Sequence, residues 1–488
     1  MSSLKQQTIF GFFWRFLQNA GTQVISFIVS IILARILMPS DYGLIAMITV
    51  FTSIASVFVT TGFSSSIIQK KDLSDIDKST IFHTGIATSL FLYIGLFFVS
   101  PYIANFYHET QLVALIRVQS LSLILSALYS THSAILSREL RFKKSFIASL
   151  SGVCVQGVLG ISLAYIGFGP WALVYSYLAN SAVCAVVTWI IVKWMPKMQF
   201  SIQSFKKMFA FSIKILCLSL VNTLFHNIQA LVIGRQYSSR DLAYYNRGQQ
   251  FPSLIMQQVD GSMNTVLFSS LAKYQDDWDS GLRVLRHAMR TSMYICFPLM
   301  IGLFAAAEPL VRFLLTDKWI DSVPFVRLMA VICLFWPLSA QKNALNALGK
   351  SGIPLAMNIC SQIITLILIL LTYKISVIAM VSSTLVSSII IQGIGAFIYR
   401  KYLNYGICDQ IWDLVPSLFA AVFMGCIVFT MTFLNIDAGL ILLLQMLLGV
   451  IVYGLISHIF KIKAYVYILN MIKPRFFKFI HRNKTIYK

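Results

Sequence analysis

The sequence predicts an all-α integral membrane protein. About fourteen transmembrane helices are expected, in two six-helix parallel repeats around a central cavity, with two extra C-terminal helices. Three observations predict this. The chain is 58% apolar and only 11% charged, against about 25% charged residues in ordinary soluble domains. Apolar runs of roughly twenty residues follow one another with only short loops between them, which is the mark of membrane-spanning helices. Finally, a series of short motifs in the first half of the chain returns in the second half in the same order.

In order, the runs lie near 10–34, 42–68, 81–106, 112–136, 146–167, 170–193, 208–233, 247–270, 288–314, 323–347, 353–373, 376–399, 412–434 and 438–460. An even number of crossings puts both ends of the chain on one side. The loops on that side hold most of the lysines and arginines. The opposite loops hold Arg35, Arg235, Arg240, Arg247, Lys318 and Lys374, and five more cations (Arg117, Lys214, Arg312, Arg327, Lys342) fall within runs. Positive charge is retained in cytoplasmic loops, so both termini are expected in the cytoplasm. That bias accounts for the net charge of +22 without nucleic acid. The first run lacks a small-residue cleavage motif and is expected to be retained. The eight cysteines are scattered, with no CxxC pair. They read as packing residues, not as disulfides or metal ligands.

The repeat rests on four matches. Arg35 and Asp41 follow the first run; Arg235 and Asp241 follow the seventh at the same spacing. “DID” (Asp75, Asp77) follows the second run and “DWD” (Asp277, Asp279) the eighth. “IGLF” occurs at Ile94–Phe97, before Pro101, and again at Ile301–Phe304, before Pro309. Arg117 opens the fourth run and Arg327 the tenth. The expected organisation is a six-helix half over 1–194, a second over 195–400, two accessory helices over 401–460 and a basic, aromatic interfacial tail over 461–488. In the corner “ARILMPSDYGLIAM”, Pro39 breaks one helix and Ser40 or Asp41 caps the next.

Polar residues on a membrane helix face protein or water. The eighth run places Gln250, Ser253, Gln257, Asp260 and Asn264 on an arc of roughly 80°. The first run carries Arg15, Gln18, Asn19, Thr22, Gln23, Ser26 and Ser30. The second carries Thr49, Thr52, Ser53, Ser56, Thr60 and Ser64. The seventh carries Lys214, Ser219, Asn222, His226 and Gln229 within roughly 140°. These striped helices are the first pair of each half, so a polar cavity between the halves is expected. For the hydroxyl-only second run, interhelical packing explains the stripe equally well. The first six runs hold no acid in their interiors, and Asp260 is the one deep acid of the second half. A mildly cationic path suits an anionic substrate. Pro252 offers the eighth helix a bend.

The patterns “ILARILMPSDYGLIAM”, “TGFSSSIIQKKDLSDIDKSTIF”, “LSRELRFKKSF” and “GFGPWALV”, with “AYYNRGQQFP”, “TDKW” and “ALGKSG” further on, resemble bacterial polysaccharide exporters of the multidrug/oligosaccharidyl-lipid/polysaccharide transporter superfamily. The likeness is nearest to the colanic acid and teichuronic acid exporter group. Ser269 and Asp317 depart from that pattern. The resemblance implies flipping of undecaprenyl-diphosphate-linked oligosaccharide across the inner membrane by rocking of the halves. It implies no cofactor, no metal and no enzymatic step. Its partners are then membrane lipids and a polysaccharide polymerase with chain-length machinery, and its working unit is a monomer. On this reading Arg15 and Lys214 hold phosphate or acidic sugar, with Arg117 as a third cation. Gln18, Asn19, Asn222, His226, Gln250, Gln257 and Asn264 line the path, and Asp260 or His226 couples an ion gradient.

A multidrug/cation antiporter is the alternative within the superfamily, and it calls for cavity acids that the first half lacks. A lipid II flippase differs only in cargo. A membrane glycosyltransferase needs “DID” and “DWD” to be metal-diphosphate motifs, whereas charged loops of this kind are usually solvated. No HExxH or P-loop is present. The topology is checked by reporter fusions. A periplasm-dependent reporter joined after Ser40 is expected to be active, and one joined after Asp72 inactive.

Overall fold

The structure is a computed structural model that describes residues 2–271, 274, 277–434 and 436–470. The side chains at 2–13, 62–63, 211, 260–266 and 268–269 also lie outside the description. Among the described residues every regular element is helical, and 13 segments are long and apolar enough to cross a membrane. The expected eighth span forms a helix of 33 residues, Ser239–Leu271, but is not among the 13. The polar stripe at Gln250, Ser253 and Gln257 lowers its apolar content. The helix continues through Pro252. The chain divides into two compact units, Met1–Ala243 and Tyr244–Lys488.

The first unit contains α1 (Ser2–Ile36), α2 (Pro39–Thr60), α3 (Gly62–Gln69), α4 (Asp75–Tyr107), α5 (Leu112–Gln119), α6 (Leu121–Arg138), α7 (Phe142–Tyr165), α8 (Pro170–Val192) and α9 (Ile202–Gln236). The corner between α1 and α2 works as its composition dictates. Pro39 takes the first helical position, where its missing N–H is no loss. Asp41 accepts the Met38 backbone N–H at 3.0 Å, closing the turn. Gly43 follows because nothing larger fits: a Cβ there overlaps the main-chain carbonyl of Ser239. Beyond α3, “DID” forms a capping box at the start of α4. Ser74 Oγ accepts the Asp77 N–H at 3.2 Å, and the buried Asp77 carboxylate accepts the Ser74 N–H at 2.9 Å and Lys70 Nζ at 2.6 Å. Arg138, at the end of α6, donates to the carbonyls of Ile67 (2.6 Å), Lys71 (2.7 Å) and Lys70, which completes the open end of α3.

α9 packs on α2, α3 and α4 and lies in the first compact unit. Its Phe205 and Met208 join a cluster with Ile67, Ile81 and Ile135. Its far end is held by Arg235, which bonds the His108 ring and lies over Phe106 at 5.2 Å.

The second unit contains most of α10 (Ser239–Leu271), then α11 (Trp278–Ala305), α12 (Ala307–Leu315), α13 (Val323–Cys333), α14 (Ala340–Ala347), α15 (Gly352–Thr372), α16 (Val377–Leu403), α17 (Ile407–Thr430) and α18 (Ala438–Ile459). Asp277 caps α11, accepting the Ser280 N–H at 3.2 Å and its hydroxyl at 2.5 Å. Those bonds hold its carboxyl below the usual carboxylate range. The buried Asp413 of α17 fastens the accessory pair to α11. It accepts two bonds from Arg286 (2.8 and 3.0 Å), one from Arg290 and one from the Tyr405 hydroxyl (2.9 Å). Tyr453 of α18 donates to the Tyr294 carbonyl at 2.9 Å. Beyond α18, residues 463–470 are helical, with Tyr465 and Tyr467 against Tyr294 and His287. The rest of the expected tail, 471–488, lies outside the described residues.

Two of the motif pairs make similar local contacts in both halves of the sequence. Asp241 accepts the Ser238 N–H at 3.2 Å, as Asp41 does that of Met38. Arg117 lies over Phe97 at 4.1 Å and Arg327 over Phe304 at 5.8 Å, and each phenylalanine ends an “IGLF”. Asp413→Ala leaves two arginines facing a buried void and is expected to cost about 3–5 kcal/mol. Asp279→Ala, exposed in the first turn of α11, should stay within about 0.5 kcal/mol. Thermal unfolding of the purified full chain distinguishes them.

Candidate functional site

The striped helices α1, α2, α9 and α10 carry the candidate residues, and the structure sorts them by what their side chains already hold. On α1, Arg15 and Asn19 are exposed. Arg15 donates to Gln18 Oε1 at 3.3 Å and stands 5.7 Å from the Phe142 ring. Gln18 is turned into the contact with α7, where its amide donates to Ser145 Oγ at 3.0 Å and Ser149 Oγ at 3.1 Å. A glutamine that answers two hydroxyls in hydrocarbon acts first as a joint between helices.

The hydroxyls of α2 bond back to their own helix. Thr49 donates to the Ile45 carbonyl at 2.7 Å, Ser53 to Val50 at 3.0 Å, Ser56 to Ser53 at 2.8 Å and Thr60 to Ser56 at 2.9 Å. Each donor is satisfied locally, so this stripe is polar without demanding water.

α9 presents the opposite case. Lys214, Asn222 and His226 are all exposed. Lys214 forms no ion pair or hydrogen bond among the described residues. On α10, Gln257 is exposed, while Gln250 accepts a 2.6 Å bond from Arg247. Asp260 and Asn264 lie on α10, but their side chains, like that of Ser269, fall outside the described residues. Arg117 is engaged within its own unit: its Nε donates to Ser100 Oγ at 3.1 Å, and its plane lies over Phe97.

Sequence reasoning treated Arg247 as a loop charge. It is 5% exposed, hydrogen-bonded to Gln250 and 5.1 Å from the ring of Trp319, which is itself fully buried. Tyr244 donates to the Lys318 carbonyl at 3.2 Å. A Cβ at Gly248 overlaps that of Phe325. The motifs “AYYNRGQQFP” and “TDKW” are thus two sides of one knot in the second unit. The signal was present in both motifs, but nothing in their spacing says that they meet. Asp317 pairs with Arg312 at 3.2 Å beside it.

With this arrangement in view, comparison with known proteins is informative. A family model described as “Polysaccharide biosynthesis protein” matches residues 32–324. The chain belongs to that family. Members similar to it include the teichuronic acid biosynthesis protein TuaB of Bacillus subtilis (strain 168), 24% identical over 357 residues, 72% of this chain and 74% of the relative. The succinoglycan biosynthesis transport protein ExoT of Rhizobium meliloti (strain 1021) is 24% identical over 341 residues, covering 70% and 69%. The lipopolysaccharide biosynthesis protein WzxC of Escherichia coli (strain K12) is 25% identical over 337 residues, covering 68% of each. Among solved structures, the lipid II flippase MurJ in an inward closed conformation superposes with a TM-score of 0.74 at 17% identity, covering 91% of this chain and 98% of that one. An inward-facing MATE family multidrug resistance transporter of the MOP superfamily gives 0.61 at 14% identity, covering 78% and 94%. The family member described here is therefore a multi-pass membrane protein with a MurJ/MATE-like fold.

Arg117→Ala removes both a cation–π contact and a hydrogen bond. It is expected to lower stability by about 1–2 kcal/mol. Arg117→Lys should recover only part, because an ammonium lacks the guanidinium plane. Thermal unfolding of the two variants checks this.

Proposed function

We propose that this protein flips undecaprenyl-diphosphate-linked oligosaccharide repeat units across the inner membrane, with both termini cytoplasmic, for assembly of a cell-surface polysaccharide. The observation that carries the reading is membership of a polysaccharide biosynthesis family on the fold of a lipid-linked-precursor flippase. The named relatives act in teichuronic acid, succinoglycan and lipopolysaccharide biosynthesis.

The physical problem is severe. Each unpaired hydroxyl costs several kcal/mol in hydrocarbon and a diphosphate far more, so the headgroup does not cross unaided. A protein solves this by offering hydrogen-bonding groups and positive charge in its interior while the lipid tail stays in the bilayer. Exposed Lys214, Asn222 and His226 on α9, Arg15 and Asn19 on α1 and Gln257 on α10 are suited to this task. Lys214 and Arg15 meet phosphate or acidic sugar. The amides meet hydroxyls, and Asp260 or His226 couples the cycle to an ion gradient. The two sequence halves alternate the face to which the path opens. The polymerase and chain-length machinery receive the product. Of the four acids of “DID” and “DWD”, Asp77 and Asp277 are committed to helix caps and Asp75 pairs with Lys78, which favours transport over catalysis.

The test is the leaflet distribution of labelled lipid-linked oligosaccharide in a deletion strain. Accumulation on the cytoplasmic leaflet, relieved by the intact gene, is expected. Normal distribution with altered drug tolerance would overturn the reading in favour of an antiporter. Lys214→Ala and Asp260→Ala at normal protein levels are each expected to slow export about tenfold or more, the scale of one charge-assisted contact. Undiminished export in both would remove the site assignment.

A further inference from the structure

One membrane segment of the second unit, Asp317–Ala347, is not a single helix. α13 ends at Cys333, a 3-10 turn occupies Trp336–Ser339, and α14 runs from Ala340 to Ala347. Pro337 lies in that turn and withholds a donor. Irregular backbone at membrane depth is tolerated where it is buried in protein or lines a water-filled space. α14 opens with Gln341, Lys342 and Asn343, a polar run inside an apolar segment.

Two neighbouring donors here are left unanswered. Gln341 has no exposed surface. Its Oε1 accepts a 3.2 Å bond from Gln392 of α16, but its Nε2 has no partner. Lys342 is half-buried and forms no hydrogen bond or ion pair among the described residues. A lysine that merely snorkels keeps its head in water at the membrane surface, whereas the residues around Lys342, Ala340, Gln341, Ala344 and Leu345, are buried. Among the described carboxylates of the unit, Asp409 and Asp413 are engaged by Arg286, and Glu308 and Asp317 by Arg312. An ammonium at this depth calls for an acceptor, and an anionic one suits it best.

We propose that Lys342 is a phosphate-binding residue that holds the diphosphate of the lipid carrier. This rests on the flippase reading and names a contact of that substrate additional to Lys214 and Arg15. The same phosphate chemistry is offered by anionic bilayer lipids, so the experiment separates the two sources.

Purified full-length protein in phosphatidylcholine nanodiscs is titrated with undecaprenyl diphosphate and, separately, with phosphatidylglycerol, for the wild type, Lys342→Gln and Lys342→Arg. The expected result is at least tenfold weaker undecaprenyl diphosphate binding in Lys342→Gln, near-normal binding in Lys342→Arg, and little effect of either on phosphatidylglycerol. Thermal stability without ligand supplies a second readout. Deleting an unpaired ammonium leaves stability unchanged or raised, whereas a structural lysine would lose it. Unchanged undecaprenyl diphosphate binding in Lys342→Gln, an effect confined to phosphatidylglycerol, or a loss of stability in ligand-free Lys342→Gln overturns the proposal. Failure of the flippase reading shows elsewhere, in the wild-type leaflet assay.

Discussion

In hydrocarbon, every main-chain N–H and C=O must be answered from within the protein, and this requirement shapes everything else in the chain. Helices answer their own middles, so the difficulty concentrates at their ends. The conspicuous motifs are solutions to it. Asp41 and Asp241 close the turns before α2 and α10. Ser74 with Asp77, and Asp277 with Ser280, start α4 and α11. Arg138 answers the last carbonyls around α3. Self-similar motifs recur across the chain because the same end has to be finished twice.

A second constraint follows for charge. A charge within a span is costly unless it has a partner, and most of those here do. Asp413 holds two arginines and a tyrosine, and in doing so ties α17 to α11. Arg247 is folded between Gln250 and Trp319. Against that background, Lys214 and Lys342 have no hydrogen-bond or ion-pair partner among the described residues. Both are donors, and a family that works in polysaccharide biosynthesis handles anionic, lipid-linked intermediates in the reading proposed here.

The helical class, the membrane spans and the capping chemistry were legible because each depends on residues close in sequence. Hydropathy needs a window of about twenty residues, and a cap needs four or five. The corner at Met38–Asp41 behaves as its composition says. The division of the chain was less legible. Motif repetition pairs α9 with α1, whereas its contacts run through Phe205, Met208 and Arg235 to residues of α3, α4 and α6. Repetition in sequence reports ancestry of elements and is silent about which neighbours they pack on.

The sequence by itself determined the helices, their order, the motif pairs that finish their ends and the family likeness, because these follow from local periodicity and local hydrogen bonding. Only the tertiary structure decided which polar groups are free. Gln18 and Asn19 are neighbours on one polar stripe, yet Gln18 is bonded across to Ser145 and Ser149 of α7 while Asn19 is exposed. Arg117 and Lys214 are both lone cations in the text of the sequence, yet Arg117 has Ser100 and Phe97 while Lys214 has no partner among the described residues. Helical periodicity tells which way a side chain points. What stands opposite it comes from residues a hundred or more positions away, and only packing brings them there.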